Sequence, residues 1–127
     1  MKNLSHEQIN DVSFPDAPVS EFMLDDTKKM LTFVTDAFVG SAPTGSWFDG
    51  SIVTIYDFQD FVIIEEKSKV VQRFSSEVAL REISEFILTD SELVIRGFSC
   101  GPGLWTEYFF SKPKIKIEYE ELTELSP

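Results

Sequence analysis

Chemically reactive side chains are scarce in this sequence. It contains one cysteine, Cys100, and one histidine, His6, and eleven basic residues against twenty-two acidic ones. A zinc site needs several cysteine or histidine ligands, and an activated nucleophile needs a base beside it, whereas these two residues are far apart in the sequence. We therefore expect no metal site and no catalytic residue, and an enzyme is the last functional class that we consider.

Long apolar stretches are also missing. Nothing approaches the roughly twenty apolar residues of a membrane-spanning helix. The first residues, MKNLSHEQIND, contain no apolar run of the kind found in signal peptides. A single cysteine forms no disulfide within the chain, which fits a reducing compartment. The sequence therefore predicts a cytoplasmic protein that does not enter a membrane.

The sequence gives little support for a binding site for hard cations or phosphates. Asp25-Asp26 and the Asp57–Asp60 segment lack the loop needed to wrap a calcium ion, so both are interpreted as turns. Gly101-Pro102-Gly103 joins two predicted strands and offers no helix N-terminus to a phosphate. No cofactor is expected.

Three glutamates suggest paired carboxylates of the kind that hydrolyse glycosides. Glu21 and Glu85 occupy matching positions in two similar stretches, and Glu107 follows later. Outward carboxylates that alternate with inward Phe and Leu are, however, typical of a solvated sheet face. We interpret these glutamates in that way.

One pattern occurs twice in the chain. Val19–Trp47 and Ile83–Trp105 each contain Ser-Glu-Phe-x-Leu-x-Asp, then a leucine, a phenylalanine and a Gly/Pro loop that ends in tryptophan. A repeated pattern usually marks a repeated structural unit that cannot bury its apolar face alone. The two copies therefore predict one domain built from paired halves.

Period-two alternation and frequent turn residues define the predicted fold. Twelve Phe, two Trp and three Tyr suit the pleated surface of a sheet. We predict a mainly β, minor α+β domain over 1–127: an antiparallel, hairpin-rich sheet curled into a sandwich or partial barrel. Its pseudo-repeat halves span about 19–66 and 83–121, with 67–82 as connector. One or two short helices are expected, near 4–9 and over about 76–82.

Negative charge is concentrated in the first half of the sequence. Residues 1–66 carry three lysines and twelve acidic residues, whereas residues 67–127 carry eight basic and ten acidic ones. Such a field repels nucleic acids and anionic lipids and attracts a basic protein, which is the partner we expect. The predicted partner-binding residues are Asp49, Asp57, Asp60, Glu65 and Glu66, with Phe58 exposed at a turn and Trp47 at the end of a loop. Another acidic face is offered by Glu118, Glu120 and Glu121.

The chain resembles the small acidic immunity proteins that bacteria encode beside contact-dependent inhibition toxins and other polymorphic toxins. The resemblance lies in its size, its low pI, its few catalytic side chains and a β-rich pattern. That pattern comprises Ser84-Glu85-Phe86, Leu93, Phe98, Gly103, Trp105 and Glu107-Tyr108. Immunity proteins share no single fold, so the resemblance assigns no binding residue. It implies stoichiometric binding that neutralises a basic toxin domain, often a nuclease, by occluding its active site.

Two further interpretations stay open. The chain is also compatible with a small-ligand-binding, β-barrel-like protein in which Phe33, Tyr56, Phe86 and Tyr108 line a cavity. A homodimeric structural domain that pairs through an exposed edge strand is the other alternative. The sequence thus leaves both a monomer and a homodimer open.

Overall fold

The computed structural model describes residues 2–4, 9, 12, 14, 16–40 and 46–120, and strands account for most of them. The strands are β1 (Lys2–Asn3), β2 (Ala17–Asp25), β3 (Met30–Gly40), β4 (Ser46–Tyr56), β5 (Asp60–Glu65), β6 (Lys69–Val71), β7 (Leu80–Leu88), β8 (Glu92–Ser99), β9 (Trp105–Ser111) and β10 (Lys114–Glu120). All neighbouring strands pair antiparallel in one sheet that is not closed into a barrel. The predicted mainly β, antiparallel fold is therefore confirmed.

The β2–β3 hairpin shows how the sequence encodes these strands. Leu31 and Phe33 are fully buried, and Thr32 between them lies on the opposite face, as the two-residue period of a strand requires. At the turn, the carboxylate of Asp25 accepts a hydrogen bond from the backbone N–H of Lys28 at 3.1 Å. Asp25 also pairs with Met30 across the hairpin, and this side-chain bond stabilises the turn between them.

Two strands, β5 and β10, each pair with the half of the sheet that precedes or follows their own in the chain. The order is β1-β10-β4-β3-β2-β7-β8-β9-β5-β6. The β2–β3–β4 and β7–β8–β9 segments form two equivalent meanders. The strand that follows each meander crosses to the other, so β5 pairs with β9 and β10 pairs with β4. We call β1, β10, β4, β3 and β2 the first sheet half, and β7, β8, β9, β5 and β6 the second sheet half.

The repeated sequence pattern corresponds to a repeated structure. A β-bulge lies between Val19 and Glu21 in β2, and another lies between Ile83 and Glu85 in β7. Each bulge falls at the serine of the Ser-Glu-Phe sequence. The residue pairs that follow match as well: Leu24 pairs with Leu31, and Leu88 pairs with Leu93. The two copies therefore share backbone irregularities as well as residue types.

The two sheet halves face each other across one hydrophobic core. Among the described strands, the pairing of Ala17 and Pro18 in β2 with β7 is the only one that joins them, and the sheet bends at this short pairing. Across the core, the rings of Phe22 and Tyr108 lie 5.0 Å apart. Phe14 contacts both halves, with its ring 5.9 Å from that of Phe33 and 5.1 Å from that of Phe86. The result is a curled, sandwich-like sheet.

The helix predicted over 76–82 is wrong. Residues 76–78 form a turn, and β7 begins at Leu80. In a helix the carbonyls of Val78 and Ala79 would accept bonds from residues four positions later. Here they accept bonds from the Tyr108 hydroxyl and the Cys100 backbone N–H instead, each at 2.7 Å. Tertiary partners therefore replace the helical ones.

The other expected helix, near 4–9, falls largely outside the described residues. Leu4 and Ile9, its two apolar residues, are both buried in the core. Over the described ranges, no helix is long and apolar enough to cross a bilayer.

Candidate functional site

The predicted partner-binding residues lie at three places. Asp57, Phe58 and Asp60 lie in the β4–β5 turn and at the start of β5, whereas Glu65 and Glu66 lie at the far end of β5. Five residue steps of a strand span about 17 Å, so these acidic groups form two separate sets. Trp47 and Asp49 belong to β4, and their side chains fall outside the described part of the structure.

The predicted exposure of Phe58 is wrong. Its side chain is 3% exposed, and its ring packs 4.9 Å from Phe110 and 5.8 Å from Phe61. Asp57 has a φ of 52°, in the left-handed region, and the chain reverses there so that the following residue points into the core. Phe58 therefore closes the end of the core and offers no surface to a partner.

Two of the predicted acidic residues already have cationic neighbours. Asp57 forms an exposed ion pair with Lys114 at 3.3 Å. Glu65 is largely buried and lies 3.7 Å from the amine of Lys69. Strand exchange explains the first pairing, since it brings the lysine-bearing β10 beside β4. The acidic first half of the sequence is thus not one acidic side of the molecule.

A different surface combines the features of a recognition site. It is the solvent side of β5 to β9, which we call the outer face. Its residues lie in four rows that run across the strands. From one end to the other, the rows are Glu92-Ser111-Asp60, Ile87-Val94-Phe109-Val62, Glu85-Arg96-Glu107-Ile64-Val70 and Phe98-Trp105.

The second row of the outer face is apolar across four strands. Ile87 and Val62 at its ends are 45% and 42% exposed. Val94 between them is buried but does not belong to the core cluster. A continuous row of apolar side chains whose ends are exposed to solvent is a feature of interaction surfaces. Asp60, in the first row, is one of the predicted partner-binding residues and belongs to this face.

The third row contains a cross-strand ion clamp. The Nε of Arg96 donates to Glu107 at 2.5 Å, and its Nη1 donates to Glu85 at 2.8 Å. These two bonds, that to Glu107 first, raise the pKa of the Arg96 guanidinium above its ordinary value. We call Glu85, Arg96 and Glu107 the clamp. It fixes three charged side chains in register on β7, β8 and β9.

An aromatic pair and a shallow depression complete the outer face. The rings of Phe98 and Trp105 meet edge to face, with centroids 5.4 Å apart. A depression of about 750 Å³ is lined by Trp105, Lys67 and the three clamp residues. Trp105 is half-buried and neither plugs the core nor projects freely. Its ring and the clamp therefore form the walls of one open recess.

The opposite side of the molecule has a different character. On the first sheet half, Met23 is 65% exposed, but it pairs with Thr32, which in turn pairs with Thr54 and then Lys116. The equivalent of the apolar row is thus mostly polar here. The outer face differs from its structural counterpart, which makes the counterpart a matched control.

The residues proposed for a ligand cavity are core residues. Phe33 and Tyr108 are fully buried and Phe86 nearly so, and their rings pack against other rings. Tyr56 is only half-buried. These side chains fill the space between the sheet halves, so the predicted cavity lining is wrong for Phe33, Phe86 and Tyr108.

The three glutamates considered as paired carboxylates are only partly brought together. Glu85 and Glu107 bind the same guanidinium, whereas Glu21 is exposed on β2 in the first sheet half. Of the other acidic face, Glu118 lies 3.5 Å from the amine of Lys116. The side chains of Glu120 and Glu121 fall outside the described residues.

Two apolar runs in the sequence indicate the outer face, and the analysis of period-two alternation did not use them. Phe61-Val62-Ile63-Ile64 and Leu93-Val94-Ile95 are apolar at every position, so both faces of these strands carry apolar side chains. Such runs are typical of strands covered on both sides. With the core on one side only, the second apolar face has no cover within the described chain.

Comparisons with protein-family models, with curated proteins and with solved structures found no significant match to this chain.

Replacing Arg96 by methionine should destabilise the protein by about 1–2 kcal/mol, because Glu107 then keeps a largely buried carboxylate without its partner. The Arg96 side chain is partly exposed, and solvent screening keeps the loss below that of a fully buried pair. Urea unfolding measures the change. Lys114→Met, which removes the exposed pair with Asp57, is the control and should alter the midpoint little. Equal midpoints for the two variants would contradict a structural role for the clamp.

Proposed function

We propose that this protein is a stoichiometric binder of a basic protein domain, of the kind that immunity proteins provide against toxin domains. The observation that carries the proposal is the outer face, where an apolar row, a fixed arginine and a tryptophan lie side by side. Aromatic residues and arginine are enriched at protein interfaces, and apolar cores with polar rims are typical of them.

The size of the outer face supports a protein partner. Five strands about 4.8 Å apart and four rows of side chains give a surface of about 20 by 20 Å. Standard interfaces bury about 800 Å² on each partner. A partner of that footprint covers all four rows, including Glu92 and Asp60 in the first row.

The charge of the chain supports a basic partner. The formal net charge is −11, and a field of that sign accelerates the approach of a positively charged surface. Charge then governs the rate of association, and the apolar row governs the rate of dissociation.

The probe for the test is a basic protein domain that is encoded by a reading frame next to that of this chain and is purified on its own. We expect a one-to-one complex, complete loss of the domain's toxic activity at one equivalent, and an association rate that falls about tenfold or more between low and high salt. Stopped-flow fluorescence of the tryptophans measures the rate. An association rate that is independent of salt, or residual activity at excess binder, would contradict the proposal.

A pair of variants locates the site. Val62→Arg places a charge in the apolar row, and Met23→Arg places the same charge on the first sheet half. Both positions are exposed, and the net charge changes equally. We expect the first variant to abolish binding and the second to leave the dissociation constant within about threefold of the original. The reverse order would assign binding to the first sheet half.

A further inference from the structure

The clamp carries more negative than positive charge. It contains two carboxylates and one guanidinium, and the bonds to Arg96 engage the Oε2 atom of each glutamate. Each glutamate has a second oxygen with lone pairs that accept further bonds. The two carboxylates differ in access, because the side chain of Glu85 is 44% exposed and that of Glu107 is 12% exposed.

We propose that Glu85 receives a lysine or arginine side chain of the partner, with Arg96 and Glu107 acting as positioning residues. This inference rests on the proposed function, because it names the contact that the basic partner makes on the outer face. Arg96 holds Glu85 by one bond at 2.8 Å, which fixes the carboxylate at the centre of the face. A cation that meets the other oxygen makes a charge-assisted hydrogen bond.

Because the surroundings of the clamp are apolar, its surplus negative charge must be compensated by a cation when a partner binds. A partner that covers Ile87, Val94 and Phe109 also removes water from the neighbouring clamp. A surplus negative charge that loses its water without gaining a cation weakens binding strongly. A second copy of this chain brings the same surplus charge to the same place. Charge complementarity therefore selects a cationic partner over self-association.

Lys67 lines the same depression and is, besides Arg96, the basic residue among the described residues that line it, so it competes there with an incoming cation. It belongs to the turn that follows β5, and its side chain is exposed. A displaced lysine at such a position returns to water at little cost. We therefore expect that removing the charge of Glu85 lowers the affinity for the partner and that removing the charge of Lys67 raises it.

Three substitutions test the contact, with the purified basic domain from the adjacent reading frame as the probe. Glu85→Gln should weaken binding about 10- to 100-fold, since the amide keeps the shape of the side chain and loses its charge. Glu21→Gln is the matched control, because Glu21 occupies the equivalent position after the β2 bulge and should change affinity less than about twofold. Lys67→Gln should tighten binding by a few fold. Isothermal titration calorimetry measures all four proteins.

The outcomes separate this inference from the proposed function. A wild-type chain that does not bind the basic domain overturns both. Binding that Glu85→Gln weakens no more than Glu21→Gln overturns the inference and leaves the proposed function standing. A doubling of mass in solution that Val62→Arg abolishes shows that a second copy occupies the outer face, and it overturns the inference as well. Unchanged urea midpoints exclude misfolding as the cause of lost binding.

Discussion

Replacing Gly97 by alanine is expected to destabilise the fold by about 3 kcal/mol or more. A Cβ at this position of β8 would lie closer than any real contact to the carbonyl oxygen of Glu82 and 2.9 Å from its carbonyl carbon. Both are backbone atoms of β7, so no side-chain rotation relieves the clash, and the two strands must separate. Glu82 and Ile83 also pair with β2, so the separation also disturbs the strand pairing that joins the two sheet halves.

Urea unfolding measures this effect, and Gly50→Ala is the control. Nothing lies within 4 Å of a Cβ at Gly50, but its φ of 47° favours glycine, so alanine there should cost about 1 kcal/mol. A Gly97→Ala protein within about 1 kcal/mol of the original stability would show that β7 and β8 are less closely paired than described.

Tyr108 should make the fold unusually sensitive to alkali. Burial, and secondarily an electrostatic interaction with Cys100, raise the pKa of this tyrosine far above its ordinary value of about 10. Above pH 10 the unfolded chain has lost the phenolic proton and the folded chain keeps it. The unfolded state therefore gains free energy relative to the folded state. Stability contributed by the neutral phenol is complete below pH 10 and then falls by about 1.4 kcal/mol for each further pH unit.

The comparison with Tyr108→Phe isolates this residue. At neutral pH the variant should be about 1–3 kcal/mol less stable, because the Val78 carbonyl loses the hydrogen bond that the phenol donates at 2.7 Å. Between pH 10 and 12 the difference should close, since only the original protein has this titrating phenol. Unfolding free energies measured at several pH values check the prediction. Two curves that stay parallel up to pH 12 would contradict it.

Local sequence patterns predicted most of the strands. Alternation of Leu31 and Phe33 with Thr32 marked the β3 strand, and the repeated Ser-Glu-Phe sequence marked two equivalent hairpins. Even the shared bulges fall at the matching serines. Such features depend on residues that are close in sequence, where pleat geometry and turn chemistry act directly.

Features that depend on distant pairing were not predictable in the same way. Phe58 looked exposed because it follows a turn, and only the position of Phe110 shows which way its ring points. The helix expected over 76–82 does not form, because the carbonyls of Val78 and Ala79 accept hydrogen bonds from the Tyr108 hydroxyl and the Cys100 backbone N–H instead. Partners more than twenty residues away decided both cases.

The candidate site was also not predictable from local sequence patterns. Glu85, Arg96 and Glu107 are eleven residues apart in turn, and no local pattern connects them. They meet because β7, β8 and β9 pair in one register, which places them on a line across the strands. Of the acidic residues predicted from composition, Asp57 and Asp60 lie at one end of β5 and Glu65 and Glu66 at the other. Charge density along a sequence does not specify charge density on a folded surface.

The exchange of β5 and β10 also bears on how this chain assembles during synthesis. When the ribosome has made β2 to β5, the outer edge of β4 still lacks its neighbour, which is encoded only at residues 114–120. β5 in turn has no partner until β9 emerges. Each half is completed by a strand from the other, so neither becomes a finished sheet alone. Folding is consequently a late event that joins remote segments, with the slow rates that high contact order brings.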